Sequence, residues 1–362
     1  MLIYQIALTL IPGIGDVLGK KLVVKCGSAE AVFKEPKRFL QRIEGIGEVL
    51  SRAVGKKEAL IRAEKEVEFI TRFHILPLFF QDTDYPWRLK HCIDSPVMLF
   101  YKGSQALNAD KILGIVGTRS ATGYGKETCR ELVSGIKSYT PLIVSGLAYG
   151  IDSCAHRSAL DSGLNTIGVL GHGLDRIYPY ANHSLAERML NQGGLVTEFL
   201  SGTKPDRENF PKRNRIIAGL CDALVVVEAA RKGGALITAD IANSYNRDVF
   251  AIPGRIGDPY SEGANYLIRT NQAHLFQSAE NIAYIMGWKQ REVAPVVQRK
   301  IFIELTADEE LIIQFLRESA TSGIDEISAG TGLTMSHVSA GLLNLEFEEL
   351  VQALPGKVYR LK

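Results

Sequence analysis

Five cysteines in 362 residues, none of them in a Cys-x-x-Cys pair, give no framework for a structural zinc site or a set of disulfides. No apolar run approaches the roughly 18 residues that a membrane span needs, and the first residues lack the succession of basic segment, apolar stretch and small-residue cleavage site. The expected location is the cytoplasm. The short motifs of common enzymes are missing too. No Gly-x-Gly-x-x-Gly follows the first strand of the central region. The nearest phosphate-loop candidate, Ser120-Ala121-Thr122-Gly123-Tyr124-Gly125-Lys126-Glu127, lacks the leading glycine and puts Glu127 where a hydroxyl should hold magnesium. No Gly-x-Ser-x-Gly elbow is present. Asp152 and His156, four apart on an expected helix, have no second histidine or nucleophile beside them and read as capping or hydrogen-bonded structural groups. His172, between two glycines, reads as part of a strand-end turn. The expectation is a protein without metal, cofactor or catalytic residues.

Net charge is also small, at +2, and unevenly spread. Residues 306–362 hold four Lys and Arg against nine Asp and Glu, so any polyanion site must be local and lie upstream of them. The stretch that stands out is Asn209-Phe210-Pro211-Lys212-Arg213-Asn214-Arg215-Ile216-Ile217-Ala218-Gly219, a loop passing into a buried helix with Pro211 at its first position. Lys212, Arg213 and Arg215 then crowd the end of the helix that is already positive, which costs stability unless an anion sits opposite. Phe210 adds a surface on which a base can stack.

Residues 1–75 read as short helices with two Gly-Ile-Gly turns, Gly13-Ile14-Gly15 and Gly45-Ile46-Gly47, each followed by an apolar helix face and by Lys20-Lys21 or Lys56-Lys57. This is the pattern of a helix-hairpin-helix module, in which paired glycines let backbone amides approach a DNA phosphate; a small helical domain using the glycines for packing remains the other reading. Residues 76–108 hold two short strands around proline turns. From about 110 to 288, apolar runs alternate with helical segments, the signature of a parallel sheet covered on both faces. The expected strands are Ile112–Val116, Leu142–Val144, Thr166–Leu170, Leu195–Val196, Ala223–Val227 and Val249–Ile252. Small residues follow nearly every one, putting backbone amides along one edge, where open α/β folds bind ligands. The Asn209–Arg215 segment falls between the fourth and fifth of these strands; its helix is expected at the opposite edge unless the loop carries it to that rim. Residues 289–305 form a connector, and 306–362 read as helix, helix-turn-helix and a hairpin bent at Pro355-Gly356, a winged-helix order. Its third helix carries Glu346 and Glu348 and no Lys or Arg, which favours a protein-contact or regulatory role over duplex binding.

Taken together, Tyr85-Pro86, Ser95-Pro96, Val116-Gly117-Thr118-Arg119, Ser145-Gly146-Leu147-Ala148, Gly150-Ile151-Asp152, Tyr178-Pro179, Phe210-Pro211 with Arg213-Asn214-Arg215-Ile216-Ile217-Ala218-Gly219, Ile237-Thr238-Ala239 and Ile252-Pro253-Gly254 give the chain a close resemblance to the DprA/Smf family of DNA-processing proteins of bacterial natural transformation. The resemblance spans essentially the whole length. It implies an α/β fold with an extended Rossmann-like parallel sheet core (76–288), an N-terminal helical domain of helix-hairpin-helix or SAM-like type (1–75), and a C-terminal winged-helix-like domain (306–362). It implies non-catalytic, sequence-independent binding of single-stranded DNA, homodimers through the Rossmann-like domain, and help in loading RecA onto strands that single-strand-binding protein otherwise covers.

Carried onto this sequence, the resemblance makes Arg119 the strand-end base on a phosphate, with Gly117 and Thr118 allowing close approach, and Ser145 and Gly146 donors to another phosphate. Arg207 and Lys212 line the groove, Phe210 takes a base, and Arg213, Asn214 and Arg215 bind phosphate or hold the rim. Gly233, Gly234 and Thr238 stand where members usually have Ser-Gly and Thr, so a hydroxyl contact is in doubt while Lys232 adds a cation. The alternative is a nucleotide-cleaving enzyme of the Lonely Guy phosphoribohydrolase type on a related scaffold. Its Pro-Gly-Gly-x-Gly-Thr-x-x-Glu run has only Arg231–Thr238 as a counterpart here, without the acid at the needed spacing.

Overall fold

The computed structural model of the chain describes residues 1–55, 57–290, 305–319 and 321–362. The expected connector 289–305 falls almost wholly outside these, and Lys56 does too.

Alternating apolar residues build the centre. Ile112, Val116, Val144, Ile167, Leu224 and Val226 face one buried cluster, while Leu113, Ile115, Ile143, Ala223, Val225 and Phe250 face another. A strand whose two faces both meet helices needs such continuous apolar runs. Nine strands result among the described residues: β1 (Leu76–Phe79), β2 (Met98–Gly103), β3 (Ile112–Val116), β4 (Leu142–Gly146), β5 (Thr166–Val169), β6 (Gly193–Thr197), β7 (Ala223–Val226), β8 (Asp248–Ala251) and β9 (His274–Leu275). They lie in the order β1-β2-β6-β5-β4-β3-β7-β8-β9. From β6 to β9 all neighbours are parallel, and β1 and β2 extend the β6 side antiparallel. The chain winds outward from β3 through β4, β5 and β6, then returns to start again at β7 on the other side of β3. The crevice above β3 and β7 is therefore the topological switch point of an α/β sheet.

The N-terminal helices do not stand apart. Ile6, Leu8 and Leu22 belong to the same apolar cluster as Leu99, Val196 and Ile216. The two Gly-Ile-Gly turns pack on each other's helices: Gly13 (φ +82°) leaves only 2.7 Å between an added Cβ and Leu50, and Gly45 (φ +88°) leaves 2.9 Å to Leu18. Of the lysines that follow these turns, Lys20 and Lys21 are engaged within the protein. Lys20 donates to the Ser95 hydroxyl and the Ile93 carbonyl, both at 2.9 Å, and Lys21 pairs with Glu44 at 2.8 Å.

Helices Ala307–Glu318, Ile324–Thr331 and Met335–Phe347 with β10 (Ser322–Gly323), β11 (Val351–Leu354) and β12 (Val358–Leu361) complete a winged helix. Arg247, buried beneath the main sheet, donates to Pro355 O of the wing at 2.7 Å. No helix among the described residues is long and apolar enough to cross a membrane.

Candidate nucleic-acid interface

A groove of about 540 Å³ opens at the switch point. One wall starts where β3 ends. At Gly117 a Cβ would come within 2.5 Å of Ile151, so only glycine lets the turn close on that helix. The Thr118 amide donates to Glu228 O (2.8 Å), and the Thr118 carbonyl accepts from Ile151 N (3.2 Å). Gly150, at φ +80°, brings its backbone so near that a Cβ would stand 2.2 Å from Thr118 O. This locked turn projects Arg119 into solvent. Glu228 braces it from below, accepting from the Thr122 amide at 3.0 Å and from the Thr122 hydroxyl.

The facing wall is the helix Asn209–Leu220. It begins two residues earlier than the sequence implied, so Pro211 is its third residue and not its first. The first four amides of a helix have no intrahelical partner, and proline is tolerated among them. The placement left open by the sequence is resolved: a helix following a parallel strand starts where that strand ends, and the N-terminus lies on the rim. Phe210 rests on Gly171, where a Cβ would come within 3.0 Å of its ring. Tyr178 tilts toward the same ring at 6.1 Å, and the Arg119 guanidinium lies 5.1 Å from its centroid. The helix Gly234–Ser244 closes the third side. Gly233 caps it without a side chain, so its first-turn amides lie along the groove.

Gly117, Thr118, Arg119, Arg207, Phe210, Arg213, Asn214, Gly233, Gly234 and Thr238 all line this groove. Their roles differ. Arg119 and Arg207 are exposed and have no ion pair among the described residues. Arg213 is buried, donates to Val169 O, and donates to Asn214 Oδ1 at 3.2 Å. The Thr238 hydroxyl is turned back to Gly234 O at 3.1 Å.

Four of the expected site residues are elsewhere. Ser145 is fully buried and its hydroxyl donates to Ile115 O of the neighbouring strand, so it has no proton to offer a phosphate. Gly146 lies under the floor, with Arg213 and Asp152 each within 2.4 Å of where its Cβ would be. Lys212 is exposed but faces a second cleft, between the helix and the N-terminal turn, with Asp16, Glu198 and Thr203. Arg215 is held by two residues that line that cleft, Asp16 at 2.9 Å and Glu198. It ties the N-terminal helices to the sheet domain and is not free to hold a phosphate.

The sequence reading missed Asp152 as a groove residue. It is buried beneath Arg213, and burial pushes its carboxyl up while Arg213 pulls it down. Its helix partner His156 is structural, as expected. Both ring nitrogens are engaged, by Thr166 Oγ1 at 2.6 Å and by Gly146 O, and burial pushes the ring down to about 4. Tyr149 and Tyr178 beside Phe210 were also overlooked as a possible stacking surface; the only signal for Tyr178 was its place before Pro179.

Comparison with known proteins agrees with this architecture. The family profile described as DNA recombination-mediator protein A matches residues 77–287, and that of the DprA winged helix domain matches 303–357. Protein Smf of Synechocystis is 33% identical over 99% of this chain and 98% of its own length. The DNA processing protein DprA of Streptococcus pneumoniae is 41% identical over 60% of this chain and 75% of its own. The crystal structure of the pneumococcal DprA superposes with a TM-score of 0.65, covering 78% of this chain and 98% of that one. The DNA processing protein A of Helicobacter pylori, described for its single-stranded DNA binding mode, superposes with a TM-score of 0.54 at 28% identity, covering 59% and 96%. By sequence over its full length and by fold over its centre, the chain belongs to the DNA recombination-mediator protein A (DprA/Smf) family.

Proposed function

We propose that the switch-point groove binds single-stranded DNA without catalysis and without sequence preference, and that the bound strand is thereby protected and presented to a RecA-type recombinase. The observation that carries this reading is the meeting of two unpaired, exposed arginines, Arg119 and Arg207, with a half-buried aromatic ring, Phe210, at two helix N-termini. Cations and first-turn amides suit phosphates, and the ring suits any base, because every base has a π-face. A base stacking on Phe210 takes the side now covered by the Arg119 guanidinium, so that side chain must swing outward as the strand enters. The described single-strand binding of the Helicobacter pylori relative supports the same assignment. Ile256, Tyr266, Leu275 and Tyr284 are exposed in the segment 256–284 that carries the edge strand β9, and we assign this edge of the sheet to a homodimer. Light scattering of the whole chain tests it, and a monomer at all concentrations would overturn it.

The groove is tested by fluorescence anisotropy with oligo-dT across a salt series. Arg119→Ala and Arg207→Ala should each flatten the slope of log affinity against log salt by about 0.7, and Phe210→Ala should cost about 1–3 kcal/mol. Wild-type affinity in all three variants would remove the groove as the binding site.

A further inference from the structure

Beyond the Arg119 turn lies a second, larger basin of about 770 Å³ that the groove reading does not use. Arg119 lines both. Lys126 and Arg130 reach the basin from the helix Gly123–Ile136, one turn apart, and Arg157 reaches it from the helix Ile151–Asp161. All are exposed, and none has an ion pair among the described residues. The one carboxylate in the lining, Asp161, is held by Arg188 at 2.6 Å. Like charges four apart on a helix destabilise it by a few tenths of a kcal/mol, and a third cation facing them adds to that, so the cluster is a cost to the fold in the absence of an anion. Tyr149, half-exposed, stands with Arg119 between the basin and the small pocket beside Phe210 and Tyr178.

We propose that this basin is the continuation of the strand path. A polynucleotide leaving the groove crosses the Arg119–Gly150 ridge beside Tyr149 and lays successive phosphates on Lys126, Arg130 and Arg157. Concavity, continuity through a shared arginine and an aromatic between the cations are features of single-strand channels. This rests on the groove reading above and extends it from a point of attachment to a track.

The test compares oligo-dT of about six nucleotides, enough for the groove alone, with oligo-dT of about twenty, on the wild-type chain and on the variant Lys126→Ala/Arg130→Ala/Arg157→Ala. Circular dichroism and melting check that these exposed substitutions leave the fold intact. Losing three phosphate contacts should lower the long-strand salt slope by about 2, which corresponds to about 100-fold in affinity near 0.1 M salt, and leave the short oligonucleotide unaffected. Long-strand binding equal to wild type would overturn the proposal and leave the basin to an acidic protein surface, with the groove untouched. Equal losses for both lengths would overturn it too, since the cations would then act on the groove itself. Failure of wild type to bind either length would instead defeat the groove reading, and this one with it.

Discussion

Replacing Arg213 by Met separates two roles that its place in the binding stretch allows, phosphate contact and internal strut. The side chain is 5% exposed and donates to Val169 O at the end of β5. Gly146 lies between its guanidinium and the Asp152 carboxyl, which is itself 7% exposed. Met keeps most of the volume and an unbranched shape. What it removes is the hydrogen bond to a buried carbonyl, about 1–3 kcal/mol, and the charge that offsets Asp152 in a dry site; together these should cost about 3–5 kcal/mol. For a domain of this size each kcal/mol lowers the melting temperature by about 2–4 °C, so the variant should melt roughly 10 °C below wild type.

Calorimetry measures that drop, and the double variant with Asp152→Asn measures the coupling. Removing the carboxylate's charge should return about 1–2 kcal/mol of the loss, because an uncompensated buried anion is no longer left behind. The strut assignment also bears on the proposed function: on that reading Arg213 positions Phe210 and Asn214 on the same helix and does not itself meet the strand. If Arg213→Met melts within about 1 °C of wild type while its salt slope flattens by about 0.7, the arginine is a phosphate contact and the reasoning from burial fails.

Other substitutions probe the same geometry. Lys212→Ala should leave oligo-dT affinity and its salt slope unchanged, because Lys212 faces the Asp16–Glu198 cleft; a slope flattened as in Arg207→Ala would place the strand there. Arg88→Met should shift the urea midpoint by the equivalent of about 3–5 kcal/mol. Arg88 is buried, grips Asp222 at 2.6 and 2.9 Å and also caps Ala109 O and Asp110 O, so a loss below about 1 kcal/mol would show the pair to be dispensable. The neighbouring Cys129 thiol, with help from Ser158, Arg130 and Arg157, pulls the Cys154 thiol down to about 6 against its burial. The thiolate is the reactive form, so alkylation of Cys154 should rise through about pH 6 and level off, while Cys26, pushed up by burial, still gains rate at alkaline pH. Parallel profiles for the two cysteines in peptide mass spectra would refute the assignment.

The parallel core was legible because burial on both faces writes itself as unbroken apolar runs: Ile112–Val116 and Ala223–Val226 have no other economical reading. The winged helix showed equally well, through short elements with local turns. Interactions between distant parts of the chain were not legible. Lys20 meets Ser95 and Arg215 meets Asp16 only because the N-terminal helices dock on the sheet domain. Periodicity within either segment carries no trace of that docking, so two cations were counted toward DNA that the fold uses internally. Ser145 failed for a narrower reason. It pairs with Gly168 as the fourth residue of β4, one step before the strand releases the chain, and a strand's last paired residue cannot be read to within one position from composition.

The division of labour within Asn209–Leu220 was, by contrast, available in the sequence and went unused. Side chains at i, i+3, i+4 and i+7 share one face of a helix. From Phe210 that rule selects Arg213, Asn214 and Ile217, all of which line the groove. Lys212 and Arg215, three apart from each other and about 100° or more out of phase with Phe210, fall on the flank that meets Asp16 and Glu198. Lys212, Arg213 and Arg215 form one basic run along the chain but not around the helix axis. The corrected picture makes the site less basic than the sequence implied at its helix and more basic beyond the Arg119 turn, where Lys126, Arg130 and Arg157 gather from two other helices. A binding surface assembled that way should depend on salt through residues far apart in sequence, and the short- and long-strand comparison is where that dependence divides.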